Sequence, residues 1–456
     1  MVEIVPIDTP SLGDRSYLAH DGTAALVVDP QRDTDRVTAL AEAAGVRITH
    51  VAETHIHNDY LTGGLALARA VGARYLVNAA DPVPFEREPI RDGDAFEVGT
   101  GLRVRVLATP GHTFTHLSYA LESAGEMSAV FTGGSLLYGS TGRPDLLGPG
   151  NTAGLAHAQY ASAHRLAREL PDSAAILPTH GFGSFCAATQ AQAESSTIGR
   201  EKAVNPALTL TEQDYLRTLL AGLDAWPAYY AHMGPANTAG PAGPDLSPPR
   251  RADAAELRRR LEAGEWVVDL RDRTAFAAGF LPGSLSFPVQ HSFATYLGWA
   301  IPWGTPLTLL GATPDQVAQA QRELVRIGID RPQAAATGRP RQWTGGLPPA
   351  RIRLADYADL AAARHRPDVV VLDVRRQLEW AESHIAGAHH IPFNELPTRA
   401  GELPDGEVWV YCRSGHRSTI AASMLAARGR TAVSVNDDYT NAEAANLPLD
   451  RQHNGG

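Results

Sequence analysis

A cysteine at the end of one apolar run, and histidines at the ends of three others, are the residues of this 456-residue chain whose types and spacing point to chemistry. Cys412-Arg413-Ser414-Gly415-His416-Arg417-Ser418 follows the run VWVY and precedes an Ala-rich stretch of helical character. A helix N-terminus is a favourable place for a negatively charged sulfur. Successive loop N–H groups can curl round such a sulfur or cradle an anion, and Gly415 permits the tight curl. Arg413 and Arg417 are candidates to hold the incoming anion. An inert cysteine usually sits among apolar neighbours, whereas this one is flanked by two arginines, a serine and a histidine.

The second cluster begins in ETHIHNDYLTGG, residues 53–64. His55, His57 and Asp59 place three ligand-type groups in one short loop, and Tyr60 stands where a further imidazole would be expected. His112 follows in ATPGHTFTH and His180 in ILPTHGFGSFC. Histidines at strand ends beside Gly or Thr are a metal-site pattern rather than scattered core residues. Cys186, six residues after His180, reads either as a sulfur relay near the pocket mouth or as a small buried hydrophobe.

Positioning these groups requires strands that end together. The runs AALVVDP, RITHVAETH, LRVRVLATPGH, SAVFTGG and AAILPTHG alternate with turns and with a helical stretch at Thr152–Leu170, which predicts a layered α/β domain. Residues Thr211–Tyr230 read as a helical appendage. GPANTAGPAGPDLSPPR, residues 234–250, reads as a linker. Beyond it, WVVDLRDRTAFAAGFLPGSLSFP is repeated as VVLDVRRQLEWAESHIAGAHHIP. Asp269 with Asp373, and Pro288 with Pro392, are both 104 residues apart. A strand run (TPLTLLG or EVWVYC) and a helix follow in each copy, so two small α/β domains with parallel sheets are expected. The first copy has Leu310-Gly311 where the second has its cysteine, and reads as a structural or docking domain. The boundaries expected are 1–233, the linker 234–250, 251–345 and 346–456.

A formal net charge of -10 argues against nucleic-acid and anionic-membrane partners. No stretch reaches the roughly 20 apolar residues of a membrane helix, and the acidic N-terminal segment does not read as a secretory signal. Two cysteines cannot make a disulfide framework and fit a reducing cytoplasm.

The C-terminal copy resembles the rhodanese family of sulfurtransferases in LDVR (Leu372–Arg375), HIAGAHHIP (His384–Pro392) and the CRSGHRS loop. The resemblance implies that Cys412 takes up sulfur as a persulfide and passes it to a second nucleophile. Cysteine phosphatases use Cys-x5-Arg; Cys412 to Arg417 is Cys-x4-Arg, a smaller ring that suits sulfur. A departure is Asp437-Asp438, where the family often has a Gly-Gly pair.

Residues 1–230 resemble the metallo-β-lactamase fold, and within it the persulfide dioxygenase branch close to the glyoxalase II hydrolases. The motifs are TPGHTFTHLSY (Thr109–Tyr119), Gly142-Arg143-Pro144-Asp145 and Thr179-His180-Gly181. The resemblance implies an αββα sandwich followed by two rhodanese-like domains, an arrangement known in that branch. It also implies a non-haem iron held by two histidines and a carboxylate. The histidines map to His55 and His112, with His57, Asp59 and His180 as weaker candidates. The carboxylate position maps to Gly134, so an oxygen ligand would have to come from Asp59, Ser135 or water. Tyr60 replaces the histidine of the second metal position, which argues against a dinuclear hydrolase. Iron(II), zinc and a metal-free site all stay open. Arg143 and Asp145 fall on the substrate side of the family's pocket, with Cys186 beside them.

The function expected is therefore sulfur transfer through Cys412, with a persulfide dioxygenase-like domain of altered metal site. An active iron-dependent persulfide dioxygenase and a glyoxalase II-type hydrolase are the alternatives. The partners implied are a low-molecular-weight thiol persulfide, thiosulfate or sulfite, and the resemblance is compatible with a homo-oligomer.

Overall fold

Two six-stranded sheets form the first unit, and their strand ends carry the histidines. The computed structural model describes residues 2–123, 125–188, 193–290 and 292–451. The chain divides into two units, Met1–Asp245 with Val325–Gly328, and Leu246–Leu324 with Ile329–Gly456.

In the first unit, β1 (Glu3–Thr9), β2 (Asp14–His20), β3 (Ala24–Val28), β4 (Arg47–Ala52), β5 (Arg74–Asn78) and β6 (Glu88–Ile90) lie side by side in chain order. The second sheet runs from β7 (Ala95–Val98) through β8 (Leu102–Ala108), β9 (Leu117–Ser123), β10 (Glu126–Gly133) and β11 (Ala175–Pro178) to β12 (Ser196–Thr197). Their inner faces share Leu26, Val28, Leu76, Val104, Tyr119 and Phe131. Helices Asp35–Ala44 and Gly64–Val71 cover the outer face of the first sheet, packing Val37, Ala41, Leu65 and Ala68 on Leu18, Val27 and Val51. Helix Pro149–Glu169 covers the second through Ala156, Ala163 and Leu166. All five residues of β3 are buried because its sheet is packed on both faces, which explains its unbroken apolar run. This is the αββα sandwich expected.

The segment expected as a linker is in part helix. Tyr230–Ala239 is helical although it contains Gly234 and Pro235. Tertiary contacts override the poor propensity. Met233 and Asn237 are buried, Asn237 Nδ2 donates to the carbonyls of His57 and Tyr60 at 2.8 Å each, and its Oδ1 accepts from Thr62 N–H at 2.9 Å. Within the expected linker 234–250, residues 240–250 lack helix and strand. The appendage read at Thr211–Tyr230 is helical over Glu212–Ala221.

The second unit contains the repeat. In the first copy, β13 (Trp266–Asp269), β14 (Leu285–Ser286), β15 (Leu307–Gly311) and β16 (Ala334–Thr337) form a parallel sheet ordered β14-β13-β15-β16. In the second copy, β17 (Arg353–Ala355), β18 (Val369–Asp373), β20 (His389–His390), β21 (Glu407–Tyr411) and β22 (Ala432–Val435) are ordered β17-β22-β21-β18-β20. Here β19 (Ser383–Ile385) pairs separately with β23 (Leu449–Arg451). Register makes the repeat exact in space. Asp269 is level with Leu310, and Asp373 with Tyr411, so Gly311 follows β13's partner as Cys412 follows β18's. Each Asp is clasped by the arginine two residues on, Arg271 at 2.6 Å and Arg375 at 2.7 Å. Among the described residues no helix is long and apolar enough to cross a membrane.

Candidate functional site

In the first unit, β4, β8 and β11 end on the same side, and the turns after them bring His55, His112 and His180 together. One nitrogen of each lies within 4.8 Å of the others. All three are buried, with His55 at 2% exposure and the other two at 0%.

Hydrogen bonds on the far nitrogens decide which lone pairs are free. Thr54 Oγ1 donates to Asp29 at 2.7 Å, so it accepts from His55 Nδ1 at 2.9 Å. His112 Nδ1 is 2.8 Å from the Arg143 carbonyl, which only accepts. His180 Nδ1 faces the carboxylates of Asp14 at 2.9 Å and Asp59 at 3.2 Å. Each ring thus spends its Nδ1–H outward and turns Nε2 inward. His112 Nε2 is buried without a hydrogen-bond partner, and His180 Nε2 is 3.4 Å from His55 Nε2. Burial and neighbouring imidazoles push His55 well below the ordinary value, and burial and His180 push His112 down to about 3, so both rings are neutral. Burial works against charge on His180 also, but Asp59 and Asp14 outweigh it and raise the group to about 10. Three imidazoles with carbonyl, hydroxyl and carboxylate partners behind them are a donor set that fits a divalent metal ion.

The two histidines expected to hold a metal, His55 and His112, come together with a third. His180, a weaker candidate in the sequence, stands with His55 and His112, and position 134 has no room for a carboxylate. A Cβ on Gly134 would lie 2.3 Å from His112 Cδ2, and the Gly134 N–H donates to His116 Nε2 at 2.9 Å. His116, missed in the sequence reading, packs its ring 5.0 Å from that of His55.

His57 faces another way. Its Nε2 meets Asp29 at 3.2 Å, Glu53 at 3.3 Å and the Tyr60 hydroxyl at 3.1 Å, while its buried Nδ1 has no partner. Burial opposes its charge, but Asp29 and Glu53 prevail and raise it to about 9. Asp59 joins His57 and His180 in a second set of close donors. The Tyr60 hydroxyl donates to the Asp29 carbonyl at 3.2 Å. Ser135 Oγ, another oxygen considered for the site, is buried with no hydrogen-bond partner.

Two residues placed on the substrate side are enclosed. Arg143 is 3% exposed, and its guanidinium is taken up by Asp145 at 2.6 and 2.7 Å and by the carbonyls of Phe185 and Asp224. Its carbonyl is what fixes His112. Cys186 lies at 0% exposure, and burial with the nearby Asp59 holds its thiol well above the ordinary range.

In the second unit, Cys412 directly follows β21 and helix His416–Ala427 begins four residues later. Gly415, the residue before that helix, has φ 89°, and a Cβ there would lie 2.3 Å from Asn436 Oδ1. The left-handed turn aims the Gly415 N–H at Cys412 Sγ, 3.2 Å away. Ser418 and Thr419 hydroxyls donate to the Gly415 carbonyl at 3.0 and 2.9 Å, and Tyr357 donates to the Cys412 carbonyl at 2.8 Å. The loop is held from every side.

The two arginines divide the work. Arg417 is buried and bidentate to Glu379, at 2.6 and 2.8 Å. Burial opposes the charge on Glu379, and Arg417 outweighs it, holding the carboxyl down at about 2. Arg417 therefore braces the loop, and Arg413, with Ser414, is the exposed residue beside the sulfur. Asp437 and Asp438 shape the following turn through Asn441 and Thr440. Glu379, Tyr357 and Asn436 carried no motif signal in the sequence; only Glu379's place in the repeat, opposite Ala275, could have suggested it.

Comparisons with known proteins follow the same division. The metallo-β-lactamase superfamily matches residues 14–180, and the rhodanese-like domain matches residues 356–443. The mitochondrial persulfide dioxygenase ETHE1 of Homo sapiens is 29% identical over 210 residues, which is 46% of this chain and 74% of that protein. A hydroxyacylglutathione hydrolase of Albidiferax ferrireducens is 30% identical over 184 residues, 40% of this chain and 67% of that one. Among solved structures, a metallo-β-lactamase from Staphylococcus aureus subsp. aureus COL superposes with a TM-score of 0.66 at 26% identity, covering 74% of this chain and 99% of that one.

Proposed function

Because the chain belongs to the metallo-β-lactamase superfamily and carries a rhodanese-like domain, we propose that it is a sulfur-metabolism protein in which Cys412 moves sulfane sulfur as a persulfide. The observation that carries this reading is the Gly415 N–H donated to Cys412 Sγ at 3.2 Å, inside a loop braced by Arg417 and Glu379. An N–H already aimed at the sulfur needs no rearrangement when negative charge gathers there. With thiosulfate as donor, the Cys412 thiolate attacks the outer sulfur. The S–S bond of thiosulfate breaks and sulfite leaves with the electron pair. An acceptor nucleophile then attacks the outer sulfur of the Cys412 persulfide, and the bond pair returns to Cys412 as thiolate. Full-length protein should convert thiosulfate and cyanide to sulfite and thiocyanate, and Cys412→Ser should abolish the reaction. Retained turnover in that variant ends the reading.

For the first unit, the same reading places a mononuclear divalent metal on His55, His112 and His180. Bound there, the ion would supply the Lewis-acid or oxygen chemistry that histidine sites give to zinc and iron. The chain's own part is to hold three inward-facing Nε2 atoms in place: Arg143 orients His112 through its carbonyl, Asp29, acting through Thr54, orients His55, and Asp14 holds His180 Nδ1. The likeness to a persulfide dioxygenase favours a low-molecular-weight persulfide as substrate. A dinuclear hydrolase is disfavoured by the crowding at Gly134 and by the Tyr60 hydroxyl, which is spent on Asp29. Metal analysis of purified protein decides the ligand set. His180→Ala should lower metal affinity at least as much as the about 10–100-fold expected for a lost supporting residue, and Tyr60→Phe should keep it. Full occupancy in His180→Ala would remove this residue from the set.

A further inference from the structure

We propose that the cysteine-less copy supplies part of the Cys412 site, with Tyr296 as a hydrogen-bond donor to the anionic sulfur donor. This rests on the reading of Cys412 as the sulfur carrier. The helix Phe293–Ala300 is buried at every position except Tyr296. That one half-buried residue lies beside the cysteine loop. Its ring is 5.3 Å from that of His416, the first residue of the helix behind Cys412, and 5.2 Å edge-on to Phe393. One turn on, Trp299 packs against the same Phe393 at 5.6 Å.

Other contacts hold the first copy to the loop's supports. Arg273 Nε donates to Asn436 Oδ1 at 2.7 Å, the atom against which Gly415 turns. The Ser286 N–H donates to Ser423 Oγ at 2.9 Å, joining β14 to the helix His416–Ala427. Burial raises the Tyr296 phenol against the pull of Arg417, and the charge at Cys412 acts in the same direction as burial. The hydroxyl therefore keeps its proton and can donate it. Since Arg417 is committed to Glu379, a neutral donor beside the cysteine loop adds recognition that Arg417 does not provide.

The chemistry that fits is a small anionic donor whose oxygens or terminal sulfur accept a phenol hydrogen bond, and thiosulfate is the probe. In the transfer to cyanide, Tyr296 binds the donor and contributes no electrons or protons to the products. Removing one hydrogen bond to an anion should raise KM for thiosulfate about tenfold in Tyr296→Phe, with kcat little changed. A ring that serves only as packing would leave Tyr296→Phe like wild type, and that result overturns the proposal. A second measurement does not depend on turnover. The rate at which iodoacetate alkylates Cys412, relative to neutral iodoacetamide, should fall in Tyr296→Phe, whereas an unchanged ratio counts against the phenol. Failure of the Cys412 reading looks different: wild-type protein would form no persulfide on Cys412, or Cys412→Ser would stay active.

Discussion

The two copies in the second unit share a frame and part at one loop. In both, a parallel strand ends in an Asp clasped by an Arg two residues later, and the neighbouring strand delivers the next residue to the same place. In the second copy that residue is Cys412, and three residues, 413–415, lead into the helix. In the first it is Gly311, with only Ala312 and Thr313 before the helix at Pro314. A Cβ on Gly311 would lie 2.9 Å from Val317 Cγ2. The Arg417–Glu379 brace is absent too, since Ala275 stands opposite Glu379 in the repeat. The first copy therefore lacks the thiol, the room for it and the ion pair that braces the loop. It keeps the fold and, through Arg273 and Tyr296, a face toward its sister's site.

The comparison is broken most sharply by trying to move the nucleophile. In Cys412→Ser, adding Gly311→Cys should restore none of the lost transfer, measured as thiocyanate formed. Crowding against Val317 should also cost about 1–3 kcal/mol in urea unfolding. Recovered turnover would mean that the shorter loop is competent after all. A smaller effect is expected at the brace. Glu379→Gln leaves Arg417 mostly buried without its charge partner and should destabilise by about 2 kcal/mol or more near neutral pH. Glu379 is held below its ordinary 4.5, at about 2, so its contribution is whole above 4.5 and is lost as pH falls from there toward 2. Acid unfolding curves of wild type and Glu379→Gln should converge over that interval, and a constant gap would separate the brace from this titration. The smallest effect belongs to Arg413. It is exposed, so Arg413→Ala should raise KM for thiosulfate a few-fold, and less so as salt is added. A salt-independent change would assign Arg413 a role other than charge.

Much of this architecture was legible in the chain. The doubled Asp-x-Arg run, the cysteine followed by a glycine three residues on, and histidines behind apolar runs are local patterns. Secondary structure turns such patterns into positions through strand period and helix ends. The fold class and the Cys412 loop follow from them. What stayed out of reach depends on which groups meet across long stretches of chain. Nothing near His180 says that its Nε2 meets that of His55, 125 residues away, while Asp14 takes its other nitrogen. Nothing near Gly134 says that the His112 ring fills the space a carboxylate would need. Arg417 looked like an anion binder and Arg143 like a substrate-side residue because a sequence displays charge but not its partners, and burial had already assigned both. Residues 230–239 looked like linker because propensity is local, while Asn237's bonds to His57 and Tyr60 are not. Local chemistry and periodicity could be read along the line; the grouping of His55, His112 and His180, the Arg417–Glu379 brace and the place of Tyr296 beside the loop were decided only when the strands closed and distant residues came into contact.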